Sequence, residues 1–180
     1  GGGNDWFYTS EANFTIIEGG AGNDSLLLKS IGSSFDLSDF TDAQITGIEN
    51  IDIQWDSATL LTLTKQDILN LNGDIAYDLD GDGDDDYVTW ILGDNGQDNI
   101  LLNAEGWFRD SNVSSHSFTV HGWILGYDYY YTNDNGDTYF ATSGGVGVYE
   151  KTGDGDISIT DQSVAENLAD AAVGILSKGG

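Results

Sequence analysis

The densest chemical feature of the sequence is a run of carboxylates from Asp78 to Asp86. Asp occupies positions one, three, five and nine of the run, and Gly occupies position six. This is the ligand spacing of EF-hand-type calcium loops, in which alternate residues turn towards the ion and the glycine allows a sharp bend. Position twelve is Thr89 rather than Glu, and a strand-like segment follows. We therefore predict a calcium loop between strands, with a solvated acidic turn as the alternative and with these ligands: Asp78, Asp80, Asp82, Asp84 and Asp86.

Two glycine-rich turns near the start of the chain indicate a second kind of calcium site. Residues 19–27 match the nonapeptide G-G-x-G-x-D-x-U-x in full, and residues 1–8 match it from its second glycine onward. In this motif glycines form a tight turn, backbone carbonyls face the ion, and the apolar residue points inwards from a short strand. The predicted carboxylate ligands are Asp5 and Asp24, and the alternative is an ordinary Gly-Asn-Asp turn.

Three further acidic segments are weaker candidates for calcium. Asp154 and Asp156 alternate with other residues in a Gly-rich stretch and are predicted metal ligands. The segment 94–98 is either a calcium loop or a plain turn, whereas 134–137 is predicted to be a hairpin turn. Calcium is preferred over magnesium because loops crowded with carboxylates suit its looser coordination.

Aromatic residues are concentrated between positions 123 and 131. On a single strand, alternation would send Tyr127, Tyr129 and Tyr131 to one face. Together with Trp123 they are predicted to form the wall of a ligand-binding surface beside a calcium ion. The alternative is that these rings belong to the core of a β-sandwich.

The sequence contains little that indicates catalysis. His116 and His121 lie five residues apart, so on one strand they would point to opposite faces and would not share a metal. No nucleophile-elbow motif is present, and the conspicuous Asp pairs lie in metal-type loops. We expect that the protein is not an enzyme.

The composition is consistent with these metal sites. The formal net charge is −26, and Asp outnumbers Glu by 25 to six. This charge disfavours nucleic acid and anionic membranes as partners and requires cations to offset self-repulsion. No Cys is present, so we expect metal ions, and not disulfides, to cross-link and stabilise the fold. A halophile-like acidic surface is the alternative.

The hydrophobic pattern predicts a mainly β, sandwich-like single domain over residues 1–180. Short alternating segments predict strands, among them Tyr87–Leu92, Ser117–Ile124 and Tyr127–Thr132. Thr64 with Asp67 predicts a short helix over Lys65–Leu69, and a capping box at Ser163 predicts an amphipathic C-terminal helix over residues 163–178.

Four segments together resemble the modules beside the RTX repeats of giant type I-secreted bacterial adhesins. They are the nonapeptide at 19–27, ITGIENIDI at 45–53, LLTLTKQDILNLN at 60–72 and the acidic run after Tyr77. Within that group the chain looks most like the calcium-dependent peptide-binding domains near the adhesin C-terminus.

The resemblance implies a secreted protein of the bacterial cell surface, with several calcium ions and a frayed RTX β-roll over residues 1–28. It implies capture of a peptide or protein C-terminus on another cell, by a monomeric module of a longer chain that does not insert into membranes. A calcium-rigidified spacer and a calcium-dependent sugar-binding module remain the alternatives.

Overall fold

The computed structural model describes residues 1–10, 14–29, 34–41, 43–55, 58–71, 78, 81–94, 97–103, 107–109, 116–120, 123–127, 129–132, 138–143, 146–151 and 157–159. The strands are β1 (Trp6–Thr9), β2 (Ile17–Glu18), β3 (Ser25–Leu28), β4 (Ser34–Asp36), β5 (Ile45–Thr46), β6 (Asn50–Asp52), β7 (Leu60–Leu63), β8 (Tyr87–Leu92), β9 (Asn99–Leu102), β10 (Phe108–Arg109), β11 (His116–Val120), β12 (Trp123–Tyr127), β13 (Tyr129–Thr132), β14 (Thr138–Thr142), β15 (Gly147–Lys151) and β16 (Ile157–Ile159). The helix α1 spans Lys65–Leu71, and a 3-10 turn spans Leu37–Asp39. Among these residues no helix is both long and apolar enough to cross a bilayer.

The central strands of both large sheets stack as parallel coils. The first sheet has the order β1-β3-β6-β8-β14-β13-β10, and the second has the order β16-β15-β9-β7-β4. Within the runs β1 to β14 and β4 to β15 all neighbours are parallel. The chain therefore passes from the first sheet to the second and back again, as in a β-solenoid. A small third sheet pairs β2 with β5 in parallel.

The coils lengthen along the chain. Equivalent residues of the first sheet are Trp6, Ser25, Asn50, Trp90 and Ala141, so the spacing grows from 19 to 25, 40 and 51 residues. The added length lies on the return from the second sheet to the first: α1 and the acidic run lie between β7 and β8, and strands β10–β13 lie between β9 and β14. Both excursions therefore occupy corresponding positions in consecutive coils.

One hydrophobic core lies inside the coils. It is formed by residues from all three parallel sheets and from α1, among them Leu26, Ile51, Ile91, Phe140, Leu61, Ile100, Val148, Ile17, Ile45 and Ile68. The predicted inward position of the apolar nonapeptide residues is confirmed, because Leu26 is in this core and Phe7 packs against it. The mainly β character predicted from the sequence is confirmed as well.

The prediction of a β-sandwich is not confirmed. Sandwiches of this kind are built from antiparallel strands, whereas the central strands here are parallel. Parallel sheets are commonly covered on both faces, and all four residues of β3 are buried accordingly. Alternating sequence predicts one buried face per strand, so it did not distinguish a coil from a sandwich.

The strands of the aromatic segment differ from the prediction. Ser117–Ile124 was predicted as one strand, but β11 and β12 form an antiparallel hairpin in which Val120 pairs with Trp123. Tyr127 ends β12, whereas Tyr129 and Tyr131 lie in β13 of the first sheet. The single strand that would align the three tyrosines is therefore wrong. The predicted hairpin around 134–137 is confirmed by the antiparallel pairing of β13 with β14.

The predicted short helix is confirmed, with an end two residues later than expected. Thr64 Oγ1 accepts from the N–H of Asp67 at 3.1 Å, and Asp67 Oδ2 accepts from the N–H of Thr64 at 2.7 Å, which is a reciprocal capping box. Ile68 and Leu71 turn the helix towards the core. The predicted C-terminal helix at 163–178 lies outside the described residues.

Candidate metal centre

Three turns stack at one corner of the coils, immediately before β1, β3 and β6. Gly3 N–H donates to Ala21 O at 2.7 Å, and Gly19 N–H donates to Thr46 O at 3.0 Å. At Gly19 the contact is so close that a Cβ would collide with the Gly47 carbonyl oxygen and lie 2.6 Å from Asp24 Oδ2. Glycine is required there because the backbone of the next turn and a carboxylate occupy the space.

The three turns place their carboxylates in one row. Trp6 pairs with Ser25 and Ser25 with Asn50, so the preceding residues Asp5, Asp24 and Glu49 are equivalent. Asp24 Oδ1 accepts from the Asp5 N–H at 2.6 Å, and Glu49 Oε2 accepts from the Asp24 N–H at 2.7 Å. The carboxylates of Asp24 and Glu49 thus bind the backbone of the preceding coil.

The row passes from the surface into the interior. Asp5 is exposed, whereas Asp24 and Glu49 are 0% and 1% exposed and the neighbouring Asn50 is 3% exposed. Asp24 Oδ2 and Asn50 Oδ1 are buried without a hydrogen-bond partner in the described part of the chain. A buried carboxylate oxygen without a partner is costly, and a bound cation is one way to offset that cost.

The donors at this corner suit calcium. They are carboxylate, amide and backbone carbonyl oxygens, which hard cations prefer, and Cys is absent from the sequence. Within the described ranges, no three His, Cys, Asp or Glu side chains gather as a metal-binding group. A cation here would therefore depend on backbone carbonyls as well as on carboxylates, as the nonapeptide pattern predicts for Asp5 and Asp24.

In the acidic run before β8, the described residues are 78 and 81–86, and all of them except Asp86 are exposed. Gly81 N–H donates to Asp78 Oδ1 at 2.7 Å, and Asp84 N–H donates to Asp82 Oδ1 at 2.9 Å. Asp78, Asp82 and Asp84 are exposed, whereas Asp86 is 6% exposed at the start of β8. These carboxylates are partly engaged by the loop backbone, and Asp80 lies outside the described residues.

The remaining predicted site residues are not brought to either place by the described structure. Asp154 and Asp156 lie outside the described residues. Trp123 and Tyr127 pair with Val120 and His116 in the hairpin, and Tyr129 and Tyr131 pair with Thr142 and Phe140 in the first sheet. Their role in binding a ligand stays a prediction.

At a second corner, another buried carboxylate accepts a backbone N–H of the preceding coil. It belongs to the segment 94–98, for which the sequence predicted either a calcium loop or a plain turn. Asp98 is fully buried just before β9. Its Oδ1 accepts from the Thr59 N–H at 2.8 Å, and its Oδ2 accepts from the Asp94 N–H at 2.5 Å. Thr59 is the equivalent residue of the preceding coil, since Leu60 pairs with Asn99. The plain-turn interpretation fits better, because both oxygens are satisfied by N–H groups.

Burial raises the pKa of the Asp98 carboxyl above its ordinary value. The N–H groups of Asp94 and Thr59 oppose this shift, and the nearby carboxylates of Asp94 and Asp52 add to it. Asp98 is thus a buried group whose charged form is disfavoured by its surroundings.

The sequence reasoning also missed Glu49. Glu49 lies two residues after Gly47, whose φ of 62° is in the left-handed region, but the turn has no other glycine of the nonapeptide. The signal that would have found it is the Gly-x-Glu-x-Ile spacing, which parallels Gly-x-Asp-x-Leu of residues 22–26. Asp98 had a clearer signal, because residues 93–101 match the nonapeptide except at its second glycine.

Comparisons with protein-family models, with curated proteins and with solved structures give no match to this chain.

Proposed function

We propose that this chain is a calcium-dependent ligand-binding module of a secreted bacterial surface adhesin. Calcium stabilises the fold, and an insertion in the coils binds the ligand. The observation that carries the calcium dependence is Asp24, a fully buried carboxylate whose Oδ2 has no hydrogen-bond partner in the described part of the chain. Such an oxygen is stabilised by a cation in a protein with 31 acidic and five basic residues.

The nonapeptide turns at Asp5 and Asp24 would hold structural ions. Their backbones approach closely, and their carboxylates share one row across the first two coils. Calcium binding to residues that come together only in the folded chain would contribute directly to the free energy of folding. The sites that would hold further ions are Asp78, Asp80, Asp82, Asp84 and Asp86 in the acidic run, and Asp154 with Asp156.

The insertion β10–β13 is the proposed ligand-binding element. It lies on the return from the second sheet to the first, as does the acidic run one coil earlier. This shared position supports a surface that combines a calcium ion of the acidic run with the aromatic residues Trp123, Tyr127, Tyr129 and Tyr131. The proposed ligand is the C-terminal carboxylate of a peptide or protein, which would complete the coordination of that ion.

The module would act on the cell surface as one monomeric part of a longer chain, with no catalytic activity. A calcium-rigidified spacer remains the alternative that would bind nothing, and a calcium-dependent glycan binder remains the other. The discriminating measurement is therefore ligand binding, because all three functions share the dependence on calcium.

Calcium dependence is tested by thermal unfolding with and without a chelator. Removing calcium should lower the Tm by well over ten degrees, and adding calcium back should restore it. The control is NaCl at matched ionic strength, which screens surface charge but does not coordinate. An equal effect of NaCl and calcium would support a halophile-like acidic surface, and a Tm that ignores the chelator would contradict the proposal.

Ligand binding is tested with two libraries, one of peptides that have free C-termini and one of glycans, each with and without calcium. The matched control carries the same sequences with amidated C-termini, which lack the carboxylate. Binding that requires both calcium and the free carboxylate supports peptide capture. Binding of glycans only would favour the sugar-binding alternative, and no binding in either library would favour the spacer.

A further inference from the structure

We propose that the third turn completes a calcium site of its own, between the second and third coils, in which Glu49 and the Gly47 carbonyl act together with Asp24. This inference deepens the proposed function and rests on it. The site lies beyond the two nonapeptide turns, and neither Glu49 nor Gly47 belongs to any predicted metal site.

Two buried carboxylates meet at this position. Glu49 Oε2 accepts from the backbone N–H of Asp24 at 2.7 Å, so the Glu49 carboxylate lies beside the residue that carries the second carboxylate. The two side chains are 1% and 0% exposed. In the described part of the chain only the Asp5 N–H donates to the Asp24 carboxylate, and no basic side chain pairs with it. Two like charges in the interior repel each other strongly unless a cation or a proton separates them.

Two oxygens of neighbouring turns lie close together beside Gly19. Asp24 Oδ2 lies 2.6 Å from the position that a Gly19 Cβ would occupy, and the Gly47 carbonyl oxygen lies within contact of that position as well. Among the residues that the structure describes, Asp24 Oδ2 has no hydrogen-bond partner, and Asn50 Oδ1, on the residue after Glu49, has none either. Glycine is required at position 19 because Asp24 Oδ2 and the Gly47 carbonyl oxygen approach its backbone closely.

The neighbouring hydrogen bonds hold the metal-ligand residues in place and do not involve Asp24 Oδ2 or Asn50 Oδ1. The Asp24 carbonyl accepts from the N–H of Glu49 at 3.2 Å and from the N–H of Asn50 at 3.0 Å. Asn50 Nδ2 donates to Asn23 Oδ1 and to the Asp24 carbonyl. The amide is thereby oriented with its oxygen left over, and the carboxylates are held in place before an ion binds.

Calcium is the cation that this donor set selects. All donors are oxygens, two of them are carboxylates, and the backbone contributes carbonyls, which suits an ion with six to eight oxygen ligands at about 2.3–2.6 Å.

The test measures calcium bound per chain by equilibrium dialysis and the affinities by competition with a chelating dye. Glu49→Gln should lose one ion per chain or weaken one site roughly 10- to 100-fold. The matched control is Glu18→Gln, an exposed glutamate in β2 at the neighbouring turn, which should leave number and affinity unchanged. Asp5→Asn should weaken a different ion and leave the Glu49 site occupied.

The outcomes separate this inference from the proposed function. Unchanged stoichiometry and affinity in Glu49→Gln would overturn the inference and leave calcium dependence standing. No calcium bound by the wild-type chain would overturn both.

If Glu49→Gln does not fold, crystals of the wild-type chain grown with terbium decide the question. An anomalous peak bonded to Asp24 Oδ2, the Gly47 carbonyl and a Glu49 oxygen supports the site. A water molecule, or a proton shared by the two carboxyls, in place of the ion overturns it.

Discussion

Single side chains join the coils, because carboxylates accept backbone N–H groups from the preceding coil. Asp24 and Glu49 do so before strands of the first sheet, and Asp98 does so before a strand of the second. Motif matching identified Asp24 because its glycines surround it. Glu49 was missed because its turn keeps only one glycine of the nonapeptide, and its equivalence to Asp24 is established by the pairing of β3 with β6.

Asp98 should make the folded state more stable in mild acid. Its folded pKa is raised, mainly by burial, so the folded chain binds this proton more tightly than the unfolded chain. The stabilisation is therefore complete below the ordinary Asp pKa of about 4 and is lost as pH rises through the raised folded value. Protonation should contribute up to about 1.4 kcal/mol for each unit by which the folded pKa exceeds the ordinary one.

The measurement is urea unfolding of the wild type and of Asp98→Asn between pH 7 and pH 4, both at one calcium concentration. The stability of the wild type relative to the variant should rise as pH falls. In Asp98→Asn the NH2 group cannot accept a hydrogen bond from the Asp94 N–H, so the variant is less stable at every pH. This constant loss does not change how the stability difference between wild type and variant depends on pH. Asp39→Asn, at an exposed position, is the control for loss of a charge. A relative stability that stays flat or falls towards pH 4 would contradict the argument.

At the element scale, local signals predicted α1 well and the strands of the insertion poorly. Thr64 and Asp67 form the capping box that the sequence indicates, because a cap depends only on neighbouring residues. The break between β11 and β12 could not be predicted in the same way, since apolar and aromatic residues continue on both sides of it. Parallel pairing was equally hidden, because the partners are 19 to 51 residues apart.

The cap of α1 should contribute measurably to stability. Thr64→Ala removes the hydroxyl that accepts from the Asp67 N–H and donates to Asp67 Oδ2 at 2.8 Å. We expect a loss of about 1 kcal/mol in the free energy of unfolding. Urea denaturation measures it, with Thr15→Ala at an exposed position outside any helix as the control. Equal stability of the two variants would show that the cap contributes nothing.

At the scale of the whole molecule, the coils couple mainly to their neighbours. Solenoids of this kind gain stability from interfaces between successive repeats, so different coils can open separately. The proposed ions at the nonapeptide turns and at Glu49 lie between the first three coils of the first sheet, whereas β8, β14 and β15 lie beyond them.

Limiting calcium should therefore loosen one end of the molecule first. Amide hydrogen exchange should accelerate in β1, β3 and β6 as calcium falls below saturation. Protection in β9 and β14 should persist, because these strands lie beyond the third turn and neither adjoins a proposed calcium ligand in the sequence. Mass spectrometry of peptides from the exchanged chain measures this difference. Uniform acceleration over all strands would contradict a regional role for the ions.

The parallel stacking of β1, β3, β6, β8 and β14 also determines how the molecule would respond to mechanical force. These five strands lie side by side at about 4.8 Å spacing, so tension applied between β1 and β14 acts across the strands and loads the coil-to-coil hydrogen bonds one row at a time. Under such loading the rows of inter-strand hydrogen bonds break one after another, and not all at once as they would under shear. The carboxylates of Asp24 and Glu49 form hydrogen bonds across two of those rows, so they would resist the separation of β1 from β3 and of β3 from β6. Under tension the molecule would therefore lengthen one coil at a time, and the coils would pair again when the tension is released.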